Sequence, residues 1–102
     1  MALQTLPDKT LKYVHGTMMD WFGVDLTNEQ IIEIGRTDRT LWHDLEDDCF
    51  DTVARDAFGD AMTRFVLGSG RRWPRNGDGR GVQEKFNLEF ERAAQQKGIK
   101  IR

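Results

Sequence analysis

The stretch Thr40–Leu67, TLWHDLEDDCFDTVARDAFGDAMTRFVL, decides the architecture, because it reads as one helix or as two. Leu41, Leu45, Cys49, Val53, Ala57, Ala61 and Phe65 step by four, and Trp42, Phe50, Ala54, Phe58 and Met62 widen that stripe. Such spacing belongs to a helix with one buried side. A helix turns every 3.6 residues, so a line stepping by four rotates around it. The pattern predicts a long third helix from near Thr37–Thr40 to about Leu67. Its weak points are Gly59, where glycine costs up to about 1 kcal/mol relative to alanine, and Asp51, where the helix can split. Cys49 falls on the apolar stripe and is expected to be buried and inert.

Outward from this segment, the helical pattern repeats. Leu11, Val14, Met18 and Trp21, with Phe22, predict a first helix from Pro7 or Asp8 to Phe22, stopped by Gly23. In LTNEQII, Thr27 and Gln30 have capping-box spacing, and Leu26 and Ile31 have staple spacing. A short second helix is therefore expected, ending at Gly35. A last helix is expected over Val82–Lys97, with Val82, Phe86, Phe90 and Ala93 along one side. KFNLEFE alternates like a strand, but ERAAQQK continues with strong helix formers, so helix is favoured. The tail IKIR is expected either to fray or to pack as a short extended piece. The expected fold class is all-α: a single domain over residues 1–102, of four to five helices, with a Gly/Arg-rich loop before the last helix.

Composition narrows the function classes. The chain has 102 residues, 38% hydrophobic and 31% charged, with a net charge of −2, so no global pull toward nucleic acid or anionic lipid exists. One cysteine allows neither an internal disulfide nor a multi-cysteine zinc site. With no membrane-length apolar run and no signal-peptide pattern, a cytoplasmic protein is expected.

No motif of catalysis, metal binding or cofactor binding stands up. His43 and Asp47 share a helix face, but a carboxylate metal site needs inward ligands from more than one helix. NGDGR, Asn76–Arg80, fails as a calcium loop, because Arg80 and Asn87 occupy ligand positions. The glycine-rich loop lacks both the Gly-Lys-Ser/Thr ending and the G-x-G-x-x-G order of phosphate loops. The lone Ser69 has no histidine brought to it. The segment from Glu29 to Leu45 resembles a helix-turn-helix only in outline: Ile31 is large, and Asp38, Asp44 and Glu46 would repel phosphate. The expectation is no enzyme, no cofactor and no metal.

Two charged clusters remain as candidate contact surfaces. The loop GSGRRWPRNGDGRG, Gly68–Gly81, carries Arg71, Arg72, Arg75 and Arg80 around Trp73 and Pro74. Arginine suits phosphate, carboxylate and aromatic faces, and tryptophan anchors interfaces or stacks on bases. The alternative is that Trp73 folds back over the core while the arginines pair with the acids of the third helix. Those acids, Asp44, Glu46, Asp47, Asp48 and Asp51, form the second patch, a surface for a basic partner or simply a solvated face.

With its short length, mixed charge, lack of a cofactor motif and AAQQKGI ending (Ala93–Ile99), the chain resembles the small accessory proteins of bacteriophages and mobile elements. That resemblance implies stoichiometric binding to a host protein complex, such as a CRISPR effector or a nuclease. The expected function is a protein-binding inhibitor or modulator using both patches; the alternative is nucleic-acid binding through the arginine loop, with a steep salt dependence. No membrane partner is expected, and an exposed Trp73 would favour a homodimer.

Overall fold

The computed structural model describes residues 6–74 and 80–102. Five helices and one two-stranded sheet make up the described residues: α1 (Asp8–Phe22), β1 (Val24–Asp25), α2 (Asn28–Gly35), α3 (Arg39–Glu46), α4 (Thr52–Leu67), α5 (Arg80–Gln96) and β2 (Lys100–Ile101). The all-α class is therefore as expected.

α1 buries Thr10, Leu11, Val14 and Met18. Gly23 ends it at φ 69°, with its N–H donating to the Met18 carbonyl, a left-handed position that glycine takes without steric cost. Steps from Leu11 to Val14, Met18 and Phe22 keep Phe22 on the inner side. Trp21, expected on the same stripe, lies about 100° from Phe22 around the helix and is 63% exposed.

The capping box of α2 forms in full. The Gln30 backbone N–H donates to Thr27 Oγ1 at 3.2 Å, and the Thr27 N–H donates to Gln30 Oε1 at 2.9 Å. Leu26 and Ile31, the staple pair, are both buried. Gln30 Nε2 also donates to the Gly98 carbonyl at 2.9 Å, tying this cap to the C-terminal turn. Gly35 is the last residue of α2, and it is needed for space: a Cβ there would sit 2.9 Å from Leu45 Cδ1 and 3.3 Å from the Trp42 ring.

The long third helix is not continuous. It divides into α3 and α4, at the split point near Asp51. Asp47 and Asp48 are weak helix formers, and Asp48 turns to φ 56°, a conformation aspartate tolerates better than most residues. Thr10 Oγ1, buried on α1, donates to Asp48 Oδ1 at 3.0 Å and holds the turn. Asp51 then starts α4 by accepting from the Ala54 N–H at 2.9 Å, as Asp38 starts α3 by accepting from the Leu41 N–H at 3.1 Å. The break removes Cys49 and Val53 from the buried stripe. Cys49 is exposed, not buried as expected, and Val53 is 74% exposed. Phe50, Ala54, Phe58, Ala61, Met62 and Val66 carry the core instead.

α4 is continuous through Gly59. A Cβ at that position would fall 2.5 Å from the tip of the Phe22 ring, so glycine lets α1 and α4 approach. α5 buries Phe86, Phe90 and Ala94; Val82, expected on that line, is 58% exposed. The KFNLEFE segment is helical. The tail is extended: β2 pairs antiparallel with β1, Val24 against Ile101 and Asp25 against Lys100.

A groove beside helix α1 as candidate interaction surface

The loop tryptophan points inward. Trp73 meets Phe22, Phe86 and Phe90 edge to face, with ring centroids 4.8, 5.2 and 5.3 Å apart. Its backbone N–H donates to Asp60 Oδ1 at 3.1 Å. Of the two expectations for this loop, folding back over the core is the one observed. Trp73 is only partly accessible and does not stand as an exposed anchor. All described peptide bonds, Trp73–Pro74 among them, are trans.

Neither Arg71 nor Arg72, the two loop arginines whose side chains are described, shows the pairing with acids of α3 and α4 that the alternative had. Arg71 forms a two-pronged pair with Glu89 on α5, at 2.9 and 3.4 Å. Arg72 is exposed and has no side-chain partner among the described residues. Arg75 lies outside the described residues. Arg80 opens α5, and its side chain lies outside the description.

The acidic residues divide by task. Asp51 caps α4, and Asp48 holds the turn through Thr10 and an ion pair with Lys9 at 3.5 Å. Glu46 and Asp47 are exposed, Asp44 is half-buried, and none of these three has a side-chain partner among the described residues. His43 is exposed in the last turn of α3. Among the described residues no group of three or more His, Cys, Asp or Glu side chains converges as a metal site. His15 is used to bind the chain to itself: Nδ1 lies 2.9 Å from the Leu26 carbonyl and Nε2 lies 3.5 Å from Asp25 Oδ1.

A different surface emerges along α1. Two adjoining depressions, of about 450 and 230 Å³, share Tyr13 and Phe50. Lys9, Tyr13, Thr17 and Trp21 line one side at steps of four, and Asp48, Phe50, Asp51, Thr52 and Arg55 line the other. Tyr13 is 58% exposed and meets Phe50 edge to face at 5.7 Å; Phe50 in turn meets the buried Phe58 at 6.3 Å. The groove floor is thus continuous with the core. At the far end the Arg55 guanidinium lies 4.0 Å over the Trp21 ring and 3.4 Å from Asp56. That contact fixes the tryptophan while leaving most of it in solvent.

The spacing of Tyr13, Thr17 and Trp21 was visible in the sequence, but the groove's other wall exists only because the chain breaks at 47–51. No helix among the described residues is long and apolar enough to cross a membrane. Comparison with protein-family models, with curated proteins and with solved structures finds no match to this chain.

Proposed function

We propose that this chain is a non-enzymatic protein-interaction module that works by stoichiometric binding. The finer reading is a phage-type inhibitor or modulator of a host nucleic-acid-processing or defence complex, of the anti-CRISPR or nuclease-inhibitor kind, acting in the host cytoplasm. The observation that carries the binding role is Trp21, 63% exposed and held under Arg55 beside Tyr13. Tryptophan, tyrosine and arginine dominate binding energy at protein interfaces. A large side chain already fixed in place loses little entropy on docking. Scattered exposed apolar residues need no explanation, but here two aromatic side chains line one wall of a groove and a third, Phe50, lines the other.

The acids of α3 and the following turn support a basic target, for which carboxylates stand in place of phosphates. The rival reading, nucleic-acid binding by the loop, loses its stacking residue, since Trp73 is packed among phenylalanines. The test is affinity capture from host lysate with wild type, Trp21→Ala and Arg72→Ala. The expected result is one host assembly held in a 1:1 ratio by wild type and Arg72→Ala and lost by Trp21→Ala. Salt-sensitive binding to free nucleic acid that Arg72→Ala weakens would replace this reading with the rival.

A further inference from the structure

We propose that the outer face of α1 is a self-association surface. A second copy of this chain lays its own α1 across it antiparallel, with Lys12 of each copy on Asp20 of the other and Gly16 at the crossing.

Gly16 stands in the middle of α1, two residues from the buried Val14 and two from the buried Met18. At about 100° per residue this puts it opposite the core. Glycine weakens a helix interior relative to alanine, so a mid-helix glycine calls for a neighbour that comes close. Gly35 and Gly59 have such neighbours inside the chain, 2.9 and 2.5 Å from where a Cβ would lie, whereas Gly16 has none within 4 Å. Its missing side chain makes room outside the chain. A second helix uses that room, because the distance between packed helices is set by the side chains at their contact.

Charge names the occupant. Lys12 and Asp20 flank Gly16 four residues to either side, on one row of the helix. Both are exposed, and neither has a side-chain partner among the described residues. Lys9, at the Lys12 end of this face, is paired with Asp48. The row is therefore positive at one end and negative at the other, about 12 Å apart along the axis. A uniformly acidic or uniformly basic partner gains at one end and loses at the other. An antiparallel second α1, related by a two-fold axis at Gly16, meets each end with the opposite charge. A parallel one puts Lys12 on Lys12 and Asp20 on Asp20. The two-fold contact is also the commonest way a chain meets its own copy. Four-apart rows on two helices line up when the axes cross at about 50°. Tyr13, 58% exposed, lies at the edge of this face and adds apolar area. The contact is one helix face wide, so the association is weak, in the micromolar to millimolar range. Trp21 lies about 140° around the helix from Gly16, so this contact is independent of the interaction-module reading.

Sedimentation velocity over a dilution series starting in the millimolar range tests the proposal. The expected result for wild type is a concentration-dependent equilibrium of monomer and dimer. Lys12→Glu and Asp20→Lys should each weaken the dimer tenfold or more, and the double variant, with the pair reversed, should regain it to within about threefold of wild type. Gly16→Leu should abolish the dimer yet raise the urea midpoint in dilute solution, because the site is open within the monomer and leucine favours helix. Trp21→Ala should leave the dimer as it is.

A monomer throughout the series overturns the inference. So does a dimer that either single charge variant leaves unchanged, that the double variant does not regain, or that survives Gly16→Leu. A dimer dissolved by Trp21→Ala overturns it as well, since the groove then makes the contact. Host capture is scored separately: losing the dimer leaves the interaction-module reading standing, and losing capture leaves the dimer standing.

Discussion

Trp21 and Trp73 sit at the edges of two aromatic clusters that differ in one respect, closure. Around Trp73 the rings of Phe22, Phe86 and Phe90 meet edge to face on three sides. Around Trp21 and Tyr13 the contacts are Arg55 above and Phe50 below, and solvent takes the rest. The adjacent residues Trp21 and Phe22 show how the two sides separate. Phe22 turns in because Gly59 has no side chain where its ring lies. Trp21, one residue earlier, faces out. Closed aromatic packing stabilises the fold through buried area and ring geometry. An open cluster contributes little to folding and leaves its area for a partner.

The largest expected effect is on the closed side. Phe90→Ala removes a ring that touches both Trp73 and Phe86, and should cost about 3–5 kcal/mol of unfolding free energy in urea. A loss below about 1 kcal/mol would mean that the cluster does not hold α5 in place.

Gly59→Ala is the sharper probe. Alanine improves helix propensity by about 1 kcal/mol, yet its Cβ would meet the Phe22 ring at 2.5 Å. The ring cannot retreat easily, because Trp73 lies against it. Overpacking of this kind costs about 1–3 kcal/mol, so the net expectation is a lower thermal midpoint. A higher midpoint would show Phe22 free to move and the cluster loosely closed.

On the open side, Asp51→Ala removes the α4 cap and should cost about 1 kcal/mol, read by the same denaturation. Tyr13→Ala should cost less than about 1 kcal/mol, since the side chain is more than half in water and its gain is one edge-to-face contact. A larger loss would move Tyr13 from the binding surface to the core.

Much of the fold was legible in the sequence because local signals agreed. Thr27 and Gln30 announced a cap, Gly23 a stop, and Phe86 and Phe90 a buried side, and each behaves so. The split of the third helix was legible only as one of two weak points. Apolar spacing continues across 47–51, and what breaks the helix is a distant partner, Thr10, holding Asp48 in a left-handed turn. Two-residue strands carry no readable period, so β1 left no signal. The candidate site was misplaced for a similar reason. Sequence offers Trp73 in a glycine-arginine loop as the exposed tryptophan and Trp21 as part of a stripe. The choice is made by packing against Gly59, Phe86 and Phe90, which no local pattern displays.

The measurement that tests the division most directly is urea unfolding of Trp21→Ala and Trp73→Ala beside wild type. Trp73→Ala should lose about 3 kcal/mol while Trp21→Ala stays within about 1 kcal/mol of wild type. Equal losses, or a larger loss for Trp21→Ala, would contradict it, because Trp21 would then belong to the fold and could not be held in reserve for a partner.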